Sequence, residues 1–357
     1  MKLGFGLYRH QLSDDNFRFA RQCGATHLVV HLVDYFRGGE ARDNQPVGDD
    51  GWGWAGDPDD PIWRYDALAR LQESAQCHGL TVWAIENFDP AMWYDILLDG
   101  PDRDRQMTRL QTLIGDVGRA GIRAFGYNFS IAGVAGRKSG PLARGNAETV
   151  YVDGPDERPI PRGMVWNMRY APGGAGHVAF FPHDELWRRL EWFLRNLVPA
   201  AEAADVRLAG HPDDPPFPVL RQTPRLVYQP SMYRRLLELY PSRYNALEFC
   251  LGTLAEMTEG DIYAVTEEFV RGGNVAYIHF RNVRGKVPSY QETFLDEGDI
   301  DMRRIVHILG ECGYDGPLIP DHTPLMTCDA PWHAGMAYAM GYMQGLLRCL
   351  DKKEKSD

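Results

Sequence analysis

Cysteine is sparse, with six in 357 residues (Cys23, Cys77, Cys250, Cys312, Cys328 and Cys349) and no CxxC pair. So few scattered thiols argue against a disulfide framework and for a reduced, cytoplasmic protein. Long apolar runs are missing too. None approaches the ~20 residues a membrane helix needs, and Met1 to His10 holds no apolar stretch of signal-peptide length, so no membrane association is expected. Positive charge is short: 38 Lys and Arg stand against 49 Asp and Glu, a net charge of −11. A nucleic-acid partner needs a basic face and is therefore not expected, and an anionic substrate must be caught by a few local arginines. Linkers and low-complexity segments are absent as well.

What is present is a repeat of apolar run, loop and helix. Residues 1–350 read as a single catalytic domain, an α/β protein of (β/α)₈ TIM-barrel class. Residues 351–357 read as a polar tail. Strands are expected over Leu3 to Tyr8, Thr26 to Leu32, Leu80 to Glu86 and Ile122 to Phe129. Between them lie helices from Asp14, capped by Asp14 or Asp15, and over Asp66 to His78 and Arg103 to Ala120, the last two closed by Gly79 and Gly121. A loop rich in Gly, Asp and Trp runs from Arg37 to Pro61. The strand ends bring His31, Glu86 and Asn128 to one rim as candidate substrate contacts.

The second half carries the chemistry. Four apolar runs end on a residue able to hold a metal ion: His211 in HPDDPP, Cys250 in CLGT, His279 in HFRNVRG and Asp321 in DHTP. The steps between them are 39, 29 and 42 residues, each long enough for a βα unit. In a barrel, all four would then stand at the C-terminal ends of consecutive strands, where such enzymes place their sites. Thiolate and imidazole suit Zn²⁺ or Fe²⁺, whereas the carboxylate and substrate oxygens also accommodate Mn²⁺. His322, next to Asp321, is placed as an acid or base. Arg281, with Arg284 and Lys286, forms a local cationic cluster for a carboxylate. Asp213 and Asp214 are read as holding the turn after His211. The stretch 131–182 is long and rich in Gly and Pro. It is expected to be an active-site loop after strand four, offering Arg162, Trp166 and Arg169 to a ligand.

HPDDPP, Cys-Leu-Gly-Thr after LEF, IHFRNVRG and PDH, in this order, resemble the mannonate dehydratases, as do YNF at Tyr127 and GATHLVVHL at Gly24. Those are xylose-isomerase-like barrels that convert D-mannonate to 2-keto-3-deoxy-D-gluconate and water in hexuronate catabolism. The resemblance implies Mn²⁺, or Fe²⁺, on His211, Cys250, His279 and Asp321, with His322 as acid/base group and Arg281 near the substrate. It also implies a catalytic tyrosine after the PDH segment, for which Tyr338 is the candidate and His333 the competitor. A small sugar acid is the expected partner, and a homo-oligomer the expected assembly. The alternatives on the same barrel are a sugar isomerase or epimerase, a dehydratase of another aldonate, and a non-catalytic sugar-binding barrel.

Overall fold

Side chains along a strand alternate between its two faces, so each strand of a closed barrel shows one set to the axis and the other to the helices. The computed structural model describes residues 1–36 and 52–353. Eight parallel strands close in it: Lys2–Leu7, His27–Val30, Thr81–Glu86, Ala124–Tyr127, Arg207–Gly210, Asn245–Cys250, Val275–His279 and Pro317–Ile319. We number these barrel strands one to eight. Each lies beside its neighbours in sequence, and strand one closes on strand eight through Lys2 with Pro317 and Leu3 with Leu318.

The inward set is small near the floor. Val29, Ala84, Ala124, Ala209, Ala246, Ala276, Tyr277 and Ile319 make a cluster of their own, separate from the larger core under the helices. Gly4 belongs to the same layer, because a Cβ there would fall 2.7 Å from Ile319 Cγ2. Moving two or four residues along each strand changes the chemistry. Tyr8 follows Gly6, His31 follows Val29, Glu86 follows Ala84 and Asn128 follows Gly126. His211 follows Ala209, Glu248 and Cys250 follow Ala246, His279 follows Tyr277, and Asp321 follows Ile319. Small residues thus fill the floor and polar ones line the C-terminal rim.

The three helices expected between the early strands fall close to their spans, at Asp14–Gln22, Tyr65–Cys77 and Arg103–Arg119; further helices lie at His183–Ala204, Ser231–Leu239, Ile262–Arg271, Met302–Glu311 and Pro331–Lys353. The first is capped by Ser13, whose side chain accepts from the Asn16 amide; Asp14 and Asp15 sit in the first turn, where they favour the helix dipole without capping it. Gly79 and Gly121 adopt φ of 72° and 80° just past their helices, which a side chain would resist. Two short helices, Pro90–Leu98 and Leu251–Glu256, were not expected. No helix among the described residues is long and apolar enough to cross a membrane.

Two expectations need correcting. The stretch 131–182 is not a plain loop. Lys138–Ala143 and Ala147–Asp153 form an antiparallel pair that joins a hairpin, Val283–Lys286 with Ser289–Glu292, in one four-stranded sheet. Thr149-Val150-Tyr151-Val152 supplies the β-branched and aromatic side chains that favour a strand. The polar tail also begins later than expected, because the last helix continues through Lys353. Residues 37–51 of the Gly/Asp/Trp loop and residues 354–357 lie outside the described residues.

Candidate active site

The barrel rim surrounds an open cavity lined by polar and aromatic side chains, among them Tyr8, His31, Glu86, Asn128, Arg137 and Trp166. Inward alternation delivers His211, His279 and Asp321 to its wall, and Cys250 directly behind them. His211, Cys250 and His279 each offer a ligand atom within 4.8 Å of the other two. His211 Nδ1 lies 2.6 Å from the Pro212 carbonyl, leaving Nε2 for the cluster. Asp321 joins through Oδ2, 3.3 Å from His279 Nδ1 and 3.0 Å from His322 Nε2.

The electrostatics of this group are those of a thiolate among imidazoles. Burial opposes the Cys250 thiolate, but hydrogen bonds from His211 and His279 and the nearby Arg281 hold the thiol well below its ordinary value. Cys250 is also the N-cap of Leu251–Glu256, and Thr253 Oγ1 stands 3.2 Å from the sulfur. Burial likewise works against a charged His211, yet Glu248 and Cys250 outweigh it and lift the imidazole to about 9. Protons occupy here what a cation could occupy. His279 Nδ1 is buried and faces Asp321 Oδ2 at 3.3 Å, on the side of the ring away from Glu86 and Glu248. One thiolate, two imidazoles and a carboxylate therefore fit a divalent transition ion.

Proton-transfer groups sit beside it. His322 is held between two carboxylates, Asp321 at Nε2 and Glu292 at Nδ1, the latter 2.9 Å away. Burial lowers its affinity for a proton, but Asp321 and Glu292 more than restore it. Glu292 comes from the hairpin of the four-stranded sheet, an origin that strand-end reasoning could not see. Tyr8 also lines the cavity, its ring tilted against His31 at 4.9 Å between centroids. Burial, Asp321 and Glu86 push its phenol far above the ordinary value, so it stays protonated. The sequence signal for Tyr8 was the Gly4-Gly6-Tyr8 alternation.

Of the expected substrate contacts, His31, Glu86 and Asn128 do line the cavity. Glu86 Oε2 lies 3.2 Å from His279 Nε2 and 3.6 Å from His31 Nε2; burial resists its charge, but the two imidazoles carry the carboxyl down to about 2. Asn128 accepts from Trp166 Nε1 at 3.1 Å and donates to the Pro212 carbonyl at 3.3 Å, so it also braces the wall. Trp166 lines the cavity as expected, whereas Arg162 and Arg169 do not.

Arg281 is placed differently from expectation. Its side chain is 2% exposed and lies behind the wall, 2.8 Å from Asp214 and Glu256 and 2.7 Å from Glu292. Burying a guanidinium demands such compensation, and three carboxylates supply it. Arg284 donates to the Glu297 carbonyl on the surface and Lys286 to that of Met257, so no cationic cluster forms. The cavity's cation is Arg137, the only Arg or Lys among its described lining residues; it pairs with Asp214. Asp213 holds the turn as expected, accepting from the Leu226 and Val227 amides at 2.7 and 2.8 Å. Tyr338 and His333 both miss the cavity. Tyr338 accepts from Arg144 at 3.3 Å and packs on Phe294, while His333 meets Asn16 at 3.2 Å. The last helix starts at Pro331 and carries both away from the rim.

Comparison with known proteins agrees with the barrel fold and points to one family. A family profile described as D-mannonate dehydratase (UxuA) matches residues 11–137 and 180–357. It skips 138–179, the stretch holding the first two strands of the four-stranded sheet. The mannonate dehydratase of Streptococcus equi subsp. zooepidemicus (strain MGCS10565) is 30% identical over 274 residues, 73% of this chain and 74% of that protein. The crystal structure of mannonate dehydratase from Streptococcus suis serotype2 matches with a TM-score of 0.77 at 25% identity, over 99% of this chain and 95% of that one. The structure of D-psicose 3-epimerase with D-tagatose from Clostridium cellulolyticum H10 matches with a TM-score of 0.60 at 12% identity, over 97% and 99% of the two chains. That second likeness is one of fold alone.

Proposed function

The chain belongs to the mannonate dehydratase family, and on that premise we propose that it removes water from a sugar acid, D-mannonate in the first instance, in the rim cavity. The observation that carries this is the meeting of a thiolate, two imidazoles and Asp321 beside a histidine clamped by two carboxylates. His211, Cys250, His279 and Asp321 would hold the ion. Family resemblance favours Mn²⁺, and the donor set also suits Fe²⁺ or Zn²⁺. Such an ion supplies Lewis acidity toward substrate oxygens.

The chain's own groups account for the protons. Dehydration breaks the C2–H bond, forms a C2–C3 double bond as the C3–O bond breaks, and releases water; the enol then becomes the 2-keto product. In this reading His322 is the acid/base group at C2, and Asp321 and Glu292 orient its ring and stabilise the imidazolium that proton transfer forms. Tyr8, held neutral, is placed to give a proton to the departing C3 hydroxyl. Arg137, the guanidinium at the cavity wall, is the proposed counter-charge for the substrate carboxylate. His31, Glu86 and Asn128 are left to orient hydroxyls.

Incubating the purified protein with Mn²⁺ and D-mannonate should yield a 2-keto-3-deoxy acid. No product from D-mannonate, with turnover of another aldonate, would remove mannonate from the proposal. Exchange of substrate hydrogen with solvent deuterium, without loss of water, would replace dehydration by isomerisation or epimerisation.

A further inference from the structure

Glu248 has no part in the reading above, yet it is fully buried at the centre of the barrel. It stands on strand six two residues below Cys250, so both point to the axis. Neither carboxylate oxygen makes a hydrogen bond of good geometry, and leaving such a group buried is costly. Its close neighbour is His279, whose Nε2 is 3.1 Å from Glu248 Oε1 and 3.2 Å from Glu86 Oε2. The opposite nitrogen, Nδ1, faces Asp321 at 3.3 Å.

The space for this carboxylate is made by Gly126. A Cβ on that residue would fall 2.2 Å from Glu248 Oε2 and 2.1 Å from the Tyr277 hydroxyl. Strand four thus gives up a side chain where strand six places an acid. A ligating histidine usually donates its second ring N–H to a carboxylate, which fixes its tautomer and ring orientation.

We propose that Glu248, together with Glu86, is a positioning residue that fixes His279 through Nε2 and so aims Nδ1 at the metal ion. The inference rests on the metal reading of the proposed function. It accounts for three otherwise separate facts: the buried acid, the Nδ1 turned toward Asp321 and the glycine opposite.

The test is metal binding, read apart from turnover. Metal-free wild-type protein is titrated with Co²⁺, following the thiolate charge-transfer and d–d absorption bands, with Cys250→Ala as the control that removes the first. Glu248→Gln, which keeps the shape but replaces a carboxyl oxygen facing His279 with an amide, should bind about 10–100-fold more weakly. Its d–d bands should shift, since the imidazole is no longer held. Gly126→Ala displaces the same carboxylate without changing it chemically and should weaken binding in the same direction. Glu86→Gln carries the test if Glu248→Gln does not fold. Unchanged affinity and spectra in the folded variants would overturn the positioning role. A wild-type protein that binds no Co²⁺, Mn²⁺ or Zn²⁺ would instead overturn the metal reading beneath it.

Discussion

Arg281→Met separates a structural arginine from a substrate-binding one. The side chain is enclosed by Asp214, Glu256 and Glu292. Asp214 and Glu292 are held well below ordinary carboxyl values despite burial, with Arg137 the leading charge at Asp214 and Arg281 the leading one at Glu292. Glu256 goes the other way: burial, with Asp214 and Cys250 adding to it, keeps its carboxyl well above the ordinary range even with Arg281 at 2.8 Å. Methionine fills similar volume but takes the Arg281 guanidinium from Asp214 and Glu292, which keep Arg137 and His322 as cationic partners. Removing one partner of a buried ion pair costs about 3–5 kcal/mol. At about 2.1 cal/mol/K of unfolding entropy per residue, a chain of this length loses about 1 °C per 0.75 kcal/mol, so the melting midpoint should fall by about 4–7 °C at pH 7. The deficit should narrow in acid. Glu292 has its folded value near 2 against an ordinary 4.5, so its contribution is present above 4.5 and is lost as pH falls toward 2. Paired thermal melts from pH 7 to pH 3 measure both effects. A midpoint within 1 °C of wild type, together with a large rise in KM for the sugar acid, would refute this assignment and return Arg281 to the substrate.

Tyr8→Phe should lower kcat by about 10²-fold with little change in KM, as expected for loss of a general acid. Tyr338→Phe and His333→Ala, which lie outside the cavity, should leave kcat within about twofold; the reverse pattern in steady-state assays would exchange their roles. Arg137→Lys keeps the charge but loses the planar fork, and KM for a sugar acid should rise about tenfold; an unchanged KM would take the substrate carboxylate elsewhere. A metal at a hundredfold excess over its Kd should stabilise the wild type by about 2.7 kcal/mol, or about 3–4 °C, in a thermal-shift experiment. Cys250→Ser should gain less than about 1 °C, and a chelator should abolish the wild-type gain.

Strand ends were legible because a parallel barrel writes each strand as a short β-branched run stopped by a polar residue. His211, Cys250, His279 and Asp321 each stood at such a stop, and the structure brings them to one wall. Helices read well for the related reason that amphipathic faces and terminal glycines are local signals. The sheet made from 138–153 and 283–292 did not, because its pairing joins segments more than 130 residues apart and no local pattern records the partner. Glu292 reached His322 by that route, so its role was hidden with it.

Arg281 and Glu248 were missed for a different reason, which a stricter use of alternation would have removed. Distance along the chain suggested that a cation two residues past His279 shares its cavity, but strand seven ends at His279, and beyond it the inward and outward rule no longer applies. Within strand six the rule does apply. Leu247 and Phe249 pack outward, so Glu248 must point inward with Cys250, and a charged residue aimed at a barrel axis needs a partner. Asking that question of Leu-Glu-Phe-Cys would have found the carboxylate beneath the thiolate. The same count from Gly4 and Gly6 reaches Tyr8, a phenol on the cavity wall, which Tyr338 does not reach. In this barrel, residue type at a strand end nominates the ligands. Parity along the strand identifies the groups that support them.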